Sequence, residues 1–271
     1  MSPIMTGIAG FLLLIALMFL RIPVAFVMAG VGFLGFGLIV SWPAALNLLA
    51  HDFFSVFSSY NLTVIPLFIL MGQVAHYSGI SGRLFNAAHK WLGHLPGGLA
   101  IATIAACAGF SAICGSTSAT AATMATVALP QMKKYNYDPA LATGVVAAGG
   151  SLGILIPPST IFIIYGIMTE QSVGKLFMAG ILPGLVLASL FIIVIIIWTR
   201  LRPDLCAPAP RSCFREKIAS LSGVIETFIL FIVVMGGLFI GLFTPTEAAG
   251  IGAMGTLIIA LLGRNLAWRS F

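Results

Sequence analysis

Charge is what this sequence lacks. Only 7% of its 271 residues are Asp, Glu, Lys or Arg, against about a quarter in a soluble domain. That scarcity excludes a water-soluble globular protein. With 60% hydrophobic residues and a mean hydropathy of +1.12, the chain reads as a polytopic membrane protein. Acids are scarcer than bases, 7 against 13, for a net charge of +6. The bases sit singly or in short clusters at the ends of apolar runs, the topogenic pattern of a membrane protein. A nucleic-acid footprint would be a contiguous basic face, so no nucleic-acid partner is expected. Cysteine is also sparse. Cys107 and Cys114 lie in apolar segments as small hydrophobes, and Cys206 and Cys213 in a basic loop match no metal spacing. His51, His76, His89 and His94 show no ligand spacing either and read as interfacial or helix-end residues. Walker A, Ser-His-Asp and HExxH patterns are missing, so neither ATP hydrolysis nor proteolysis is supported and no enzyme is expected. Met1 to Leu20 holds no Lys or Arg, which reads as a retained first span rather than a signal peptide.

What is present is a series of apolar runs near the roughly 17–25 residues needed to cross a bilayer. The spans expected are Ile4–Leu20, Ile22–Val40, Leu62–Ile80, Leu141–Thr169, Leu176–Thr199, Leu221–Phe243 and Thr246–Gly263. The first two meet in a tight corner at Arg21 and Pro23. Residues 41–61 (Trp42, His51, Asp52, Tyr60) read as a polar and aromatic connection. Within Ser81 to His94, apolar Leu84, Phe85, Ala88, Trp91 and Leu92 recur at helical spacing. With Arg83 and Lys90 on the other face, they predict an amphipathic helix on the membrane surface.

Trp91 to Met132 carries no Asp, Glu, Lys or Arg over 42 residues. That is too long for one upright span, and a glycine and hydroxyl cluster sits near its centre. The positive-inside rule chooses between one long crossing and a re-entrant hairpin. A hairpin gathers twelve of the thirteen basic residues on one face and leaves only Lys175 opposite; a single crossing divides them nine to four. The hairpin is therefore expected, with the N-terminus outside and the Arg200–Lys217 loop in the cytoplasm. A short match of Pro23–Gly30 to Pro245–Gly252, at corners facing opposite ways, suggests an inverted-topology repeat.

Two runs carry the chemistry. In the hairpin, Leu99–Ile113 and Ala119–Leu129 form the arms and Gly115-Ser116-Thr117-Ser118 the tip. Glycine lets the chain reverse and the hydroxyls offer oxygen ligands. The helix that begins at the tip points N–H groups at an anion, while the helix that ends there points carbonyls at a cation. In the second run, Gly149-Gly150-Ser151 is expected to interrupt a helix. Pro157-Pro158 removes two backbone donors, and Ser159 and Thr160 cap the helix that follows. Broken backbone at membrane depth is tolerated only where it is buried in protein or lines a cavity, and transporters hold ions and substrate there. Helix packing by small residues is the competing explanation for both runs. Among the acids, Glu247 after Pro245-Thr246 reads as a helix cap.

At these residues the chain resembles the large membrane subunit of the tripartite ATP-independent periplasmic (TRAP) transporters. The resemblance runs through Pro66–Gly72, Gly97–Ala100, the hairpin tip, Tyr137–Ala142, Ile156–Ser159 and Gly241–Ala249. It implies an all-α secondary transporter of the ion-transporter superfamily, moving as an elevator. The architecture would be about seven spanning helices plus one re-entrant hairpin, the first half and the start of the second half of an inverted repeat. On that plan residues 1–80 are scaffold spans, 81–97 the amphipathic helix and 98–130 the hairpin. Residues 138–169 are the broken helix, 174–200 a span, 201–220 the basic loop and 221–271 the first two spans of an incomplete second repeat. The resemblance also implies a sodium gradient as the driver, with sodium the coupling ion and no cofactor. Organic anions such as C4-dicarboxylates or sialic acid would arrive from a periplasmic binding protein, and a small four-helix membrane subunit would be the partner in a bacterial inner membrane. By motif, the sodium and substrate region comprises Gly115, Ser116, Thr117, Ser118, Gly149, Gly150, Ser151, Pro157, Pro158 and Ser159. Sodium itself would fall to Ser116, Thr117, Ser118, Gly149 and Gly150. The family continues well beyond Phe271, so half a site is expected from this chain. The alternatives are a stand-alone sodium–carboxylate symporter and an inactive truncated remnant.

Overall fold

The computed structural model describes residues 3–206 and 213–262; their regular elements are all helices, with no strand among the described residues. The chain divides after Tyr60 into two compact units.

The first unit holds α1 (Pro3–Phe19), α2 (Val24–Ile39) and α3 (Trp42–Ser58). Its first corner turns at Arg21, whose φ is +59°, and proline at position 23 admits α2 with its φ already set. The expected connection over residues 41–61 is instead mostly the helix α3. Ser41 caps it by accepting from the Ala44 N–H at 3.3 Å, and Pro43 sits in its first turn, where a missing N–H costs nothing. The Trp42 ring lies where a Cβ on Gly37 would be, 2.7 Å away, which closes α2 onto α3. The polar and aromatic residues of this stretch concealed a helix whose buried contact is Ala45.

The second unit is built round α6 (Gly98–Cys114), buried on nearly every side. A helix apolar all round belongs in a core. α4 (Val64–Tyr77), α5 (Ile80–Leu92), α7 (Thr117–Lys134) and α8 (Pro139–Gly150) pack against it. α6 begins after Gly97, whose φ is +70° and which offers no side-chain cap. The Tyr137 hydroxyl substitutes, accepting from the Leu99 N–H at 3.1 Å. Burial, reinforced by the Cys206 thiol beside it, pushes the Tyr137 hydroxyl up to about 12.

The expected surface helix is α5, but Leu84 and Phe85 are buried in protein rather than presented to lipid. Arg83 on α5 pairs with Glu226 on α12 (Phe214–Phe231) at 3.2 Å, so α5 is held against α12. The sequence pattern identified the right face and the wrong neighbour, because an apolar face packs on protein or lipid with similar ease. α12 starts seven residues before the expected Leu221 and continues through a π-helical turn, Ile232–Gly236, into α13 (Gly237–Ile240). α14 (Pro245–Leu262) follows. Its start is a capping box: the Glu247 carboxylate accepts from the Thr244 N–H at 2.8 Å and Thr244 Oγ1 accepts from the Glu247 N–H at 3.3 Å. The cap read from Glu247 is thus observed. Small residues of α14, Ala248, Ala249 and Gly252, lie against α4.

Among the described residues, four helical stretches are long and apolar enough to cross a membrane: Pro139–Met168, Val173–Leu201, Phe214–Ile240 and Pro245–Leu262. Ile4–Phe19, Val24–Ile39 and Gly98–Cys114 are apolar but shorter.

Candidate functional site

The uncharged stretch from Trp91 to Met132 contains two helices that meet at a reversal. α6 ends at Cys114, Gly115 takes φ +62°, and α7 starts after Ser116. The tip is therefore two residues, shorter than the four expected, because Thr117 and Ser118 already form the first turn of α7. Ser116 Oγ caps that turn, accepting from the Ala119 N–H at 3.4 Å, and lies 3.4 Å from Ser118 Oγ. Ser118 is exposed, and Thr117 Oγ1 is buried with no hydrogen-bond partner among the described residues.

The second run is broken twice, first at Ser151 as expected and then over a longer stretch. α8 continues through Gly149 and Gly150, and Ser151 keeps helical dihedrals (φ −62°, ψ −20°) with its hydroxyl donating to the Ala148 carbonyl at 2.7 Å. One further turn, α9 (Leu152–Leu155), precedes the wider interruption at Ile156–Ser159, where the Pro157–Pro158 bond is cis. The two glycines that end α8 also serve close contacts. A Cβ on Gly149 would lie 2.6 Å from Cys107 Sγ, and one on Gly150 would lie 2.7 Å from the Cβ of Ala121. These glycines bring α8 against both arms of the hairpin, away from the tip. Ser159 then caps α10 (Thr160–Met168), accepting from the Phe162 N–H at 3.5 Å.

The fold brings the tip and the interruption together. Thr160 donates to the Gly115 carbonyl from its N–H at 3.4 Å and from Oγ1 at 3.2 Å. A Cβ on Gly115 would collide with the Pro158 carbonyl oxygen, and one on Gly153 would lie 2.7 Å from the Ser116 carbonyl oxygen. From the other side, α11 (Val173–Leu201) reaches the interruption through Gly180, 2.7 Å from the Leu155 oxygen, and Gly184, 2.8 Å from Ile156 Cγ1, measured from the same notional Cβ. Ile156 to Ser159 is wholly buried. The start of α7 and the start of α10 thus lie beside one Gly115 carbonyl, with the end of α6 next to them.

Ser111, Gly180 and Gly184 were not singled out from the sequence. Gly180 and Gly184, four apart, carried the small-residue spacing of a close helix contact; Ser111 carried no signal. Ser111 Oγ is fully buried and unpartnered among the described residues, and Thr120 Oγ1 faces the Cys114 sulfur. The donors near the tip are hydroxyls and carbonyls, which suit a hard cation. Among the described residues no group of three or more His, Cys, Asp or Glu could hold a metal. A concavity of about 380 Å³ between α2 and α3 lies wholly within the first unit.

An all-helical chain with long apolar helices, one of them broken and buried against a helical reversal, defines a multi-pass membrane protein of the kind transporters are built from. The chain belongs to the family described as "Tripartite ATP-independent periplasmic transporter, DctM component", which matches residues 11–271. It is similar to the C4-dicarboxylate TRAP transporter large permease protein of Pseudomonas aeruginosa, 39% identical over 81% of this chain and 51% of that protein. It is 31% identical to the sialic acid large permease of Vibrio cholerae over 93% of this chain and 58% of that one. The ectoine large permease of Halomonas elongata is 30% identical over 87% and 55%. The chain spans about half the length of these relatives. Family and helices together make it a multi-pass inner-membrane transporter component and not an enzyme.

Proposed function

We propose that this chain supplies one half of a sodium-coupled organic-anion site in a TRAP secondary transporter. The observation that carries the reading is the junction at Gly115, where Thr160 bonds the tip carbonyl across from the second run. Two interrupted segments held against each other leave helix ends with unmet backbone groups inside protein. In this reading Ser116, Thr117 and Ser118 hold sodium, while Gly149 and Gly150, away from the tip, set how closely α8 approaches the hairpin arms. The N–H groups at the starts of α7 and α10, with Ser151, Pro157, Pro158 and Ser159 shaping the surface, face the substrate carboxylate. The hairpin and the broken helix move as an elevator against the scaffold spans. The N-terminus lies in the periplasm, no cofactor is involved, and the hairpin re-enters from the cytoplasmic side.

Relatives named for C4-dicarboxylates and sialic acid support an organic-acid substrate. A periplasmic binding protein would deliver it and a small four-helix membrane subunit would accompany this chain. The test is Ser116→Ala in the chain completed with the half that its relatives carry, assayed in proteoliposomes. Losing one ion ligand should raise the sodium concentration for half-maximal uptake by about tenfold, the effect of about 1.4 kcal/mol. Unchanged sodium dependence would sink the tip assignment. Uptake without any binding protein would favour a stand-alone symporter.

A further inference from the structure

One end of the second unit collects positive charge from elements far apart in sequence. α5 ends with Lys90, α7 with Lys133 and Lys134, and α11 with Arg200, followed by Arg202. α12 opens with Arg215 and Lys217. Specific contacts hold these ends together. Trp91 Nε1 donates to the Lys217 carbonyl at 3.2 Å, and Lys217 Nζ lies 5.7 Å from the centre of the Trp91 ring. The His89 and Tyr135 rings are 5.9 Å apart, joining the ends of α5 and α7. The Asp138 N–H donates to the Leu205 carbonyl at 2.9 Å, tying the turn after α7 to the one after α11.

Lys133, Lys134, Arg200, Arg202 and Arg215 are exposed, and among the described residues none of the seven cations is in a salt bridge. The acids here are fewer. Asp138 is occupied in capping α8, leaving Asp204 and Glu216. Trp91, Trp198 and Phe214 are exposed among the cations. Indole rings beside cations sit where hydrocarbon gives way to headgroups. A partner for this surface is therefore anionic at one end and apolar at the other. Orientation during insertion asks only for basic residues in loops. Here the fold gathers them into one face, and like charges repel unless something opposes them.

We propose that this basic end is a binding surface for anionic phospholipid headgroups, engaged by Lys133, Lys134, Arg200 and Arg202 together with the Trp91–Lys217 pair. Each basic residue near an anionic membrane surface adds to the attraction, and salt weakens it. α11 supplies an internal control. Lys175 lies at its other end, 25 residues from Arg200 and so about 38 Å away along the helix.

The experiment is thermal unfolding of the purified chain in neutral detergent with added phosphatidylglycerol or phosphatidylcholine at equal mole fraction. Phosphatidylglycerol should raise the midpoint by about 5 °C more than phosphatidylcholine at saturation. That difference should shrink by at least half at about 1 M salt, where the screening length falls to about 3 Å. Lys133→Gln/Lys134→Gln/Arg200→Gln/Arg202→Gln should lose most of it, and Lys175→Gln should keep it. Should the fourfold variant not fold, Lys133→Gln/Lys134→Gln on the exposed last turn of α7 should lose a measurable part. Equal effects of the two lipids, or a full difference retained in the fourfold or the double variant, would overturn the proposal. So would an equal loss in Lys175→Gln.

Discussion

Gly115→Ala tests the junction on which the site depends. An alanine there must adopt φ +62°, which costs about 1–2 kcal/mol for a residue with a Cβ. Its methyl would also fall on the Pro158 carbonyl oxygen. That atom is buried backbone with no rotamer to yield, so the segment from Ile156 to Ser159 must move. The two hydrogen bonds from Thr160 then lengthen, each contributing about 1 kcal/mol. The sum is roughly 2–4 kcal/mol, a fall of about 5–15 °C in the unfolding midpoint at this chain length. Gly144→Ala, on the exposed side of α8 with nothing within 4 Å of the new methyl, should raise the midpoint by about 2–4 °C through helix propensity. Gly153→Ala should fall between them, since its backbone is helical but its Cβ would meet the Ser116 carbonyl. Scanning fluorimetry in detergent reads all three. A Gly115→Ala midpoint within about 1 °C of the parent, or an equal fall in Gly144→Ala, would refute the argument.

Tyr137→Phe removes the hydroxyl that satisfies the buried Leu99 N–H and should destabilise by about 1–3 kcal/mol, read as a lower unfolding midpoint. His89 should make stability fall in mild acid. Burial, then the neighbouring Lys90, holds its folded pKa below 6.5, so the unfolded chain takes up the proton first. Its contribution is complete above pH 6.5 and is lost as pH falls through that value towards the folded pKa. Subtracting the pH profile of His89→Gln from that of the parent should isolate this slope, and identical profiles would contradict it. Thr244→Val should fray the start of α14, with faster amide exchange at Glu247, while Thr244→Ser should preserve protection.

Local signals made part of the fold legible. Gly115, Pro157-Pro158, Ser159 and the Thr244–Glu247 box act within a few residues, by admitting a left-handed backbone, deleting donors or supplying a cap. Helix α3 escaped because Trp42, His51 and Asp52 obscured its period. Gly149 and Gly150 were legible as a helix end but not as a close contact, because glycine serves both equally well and only the arms opposite, at Cys107 and Ala121, reveal the second role.

By itself the sequence determined the class: a chain with so few charges cannot face water, and its backbone breaks lie where proline and left-handed glycine put them. Only the tertiary structure decided what those breaks face. Gly115 meets Pro158, α11 closes from behind through Gly180 and Gly184, and α5 turns its apolar face to protein. Burial of an apolar face has no direction in sequence; its partner emerges only when helices pack at the distance their smallest residues allow.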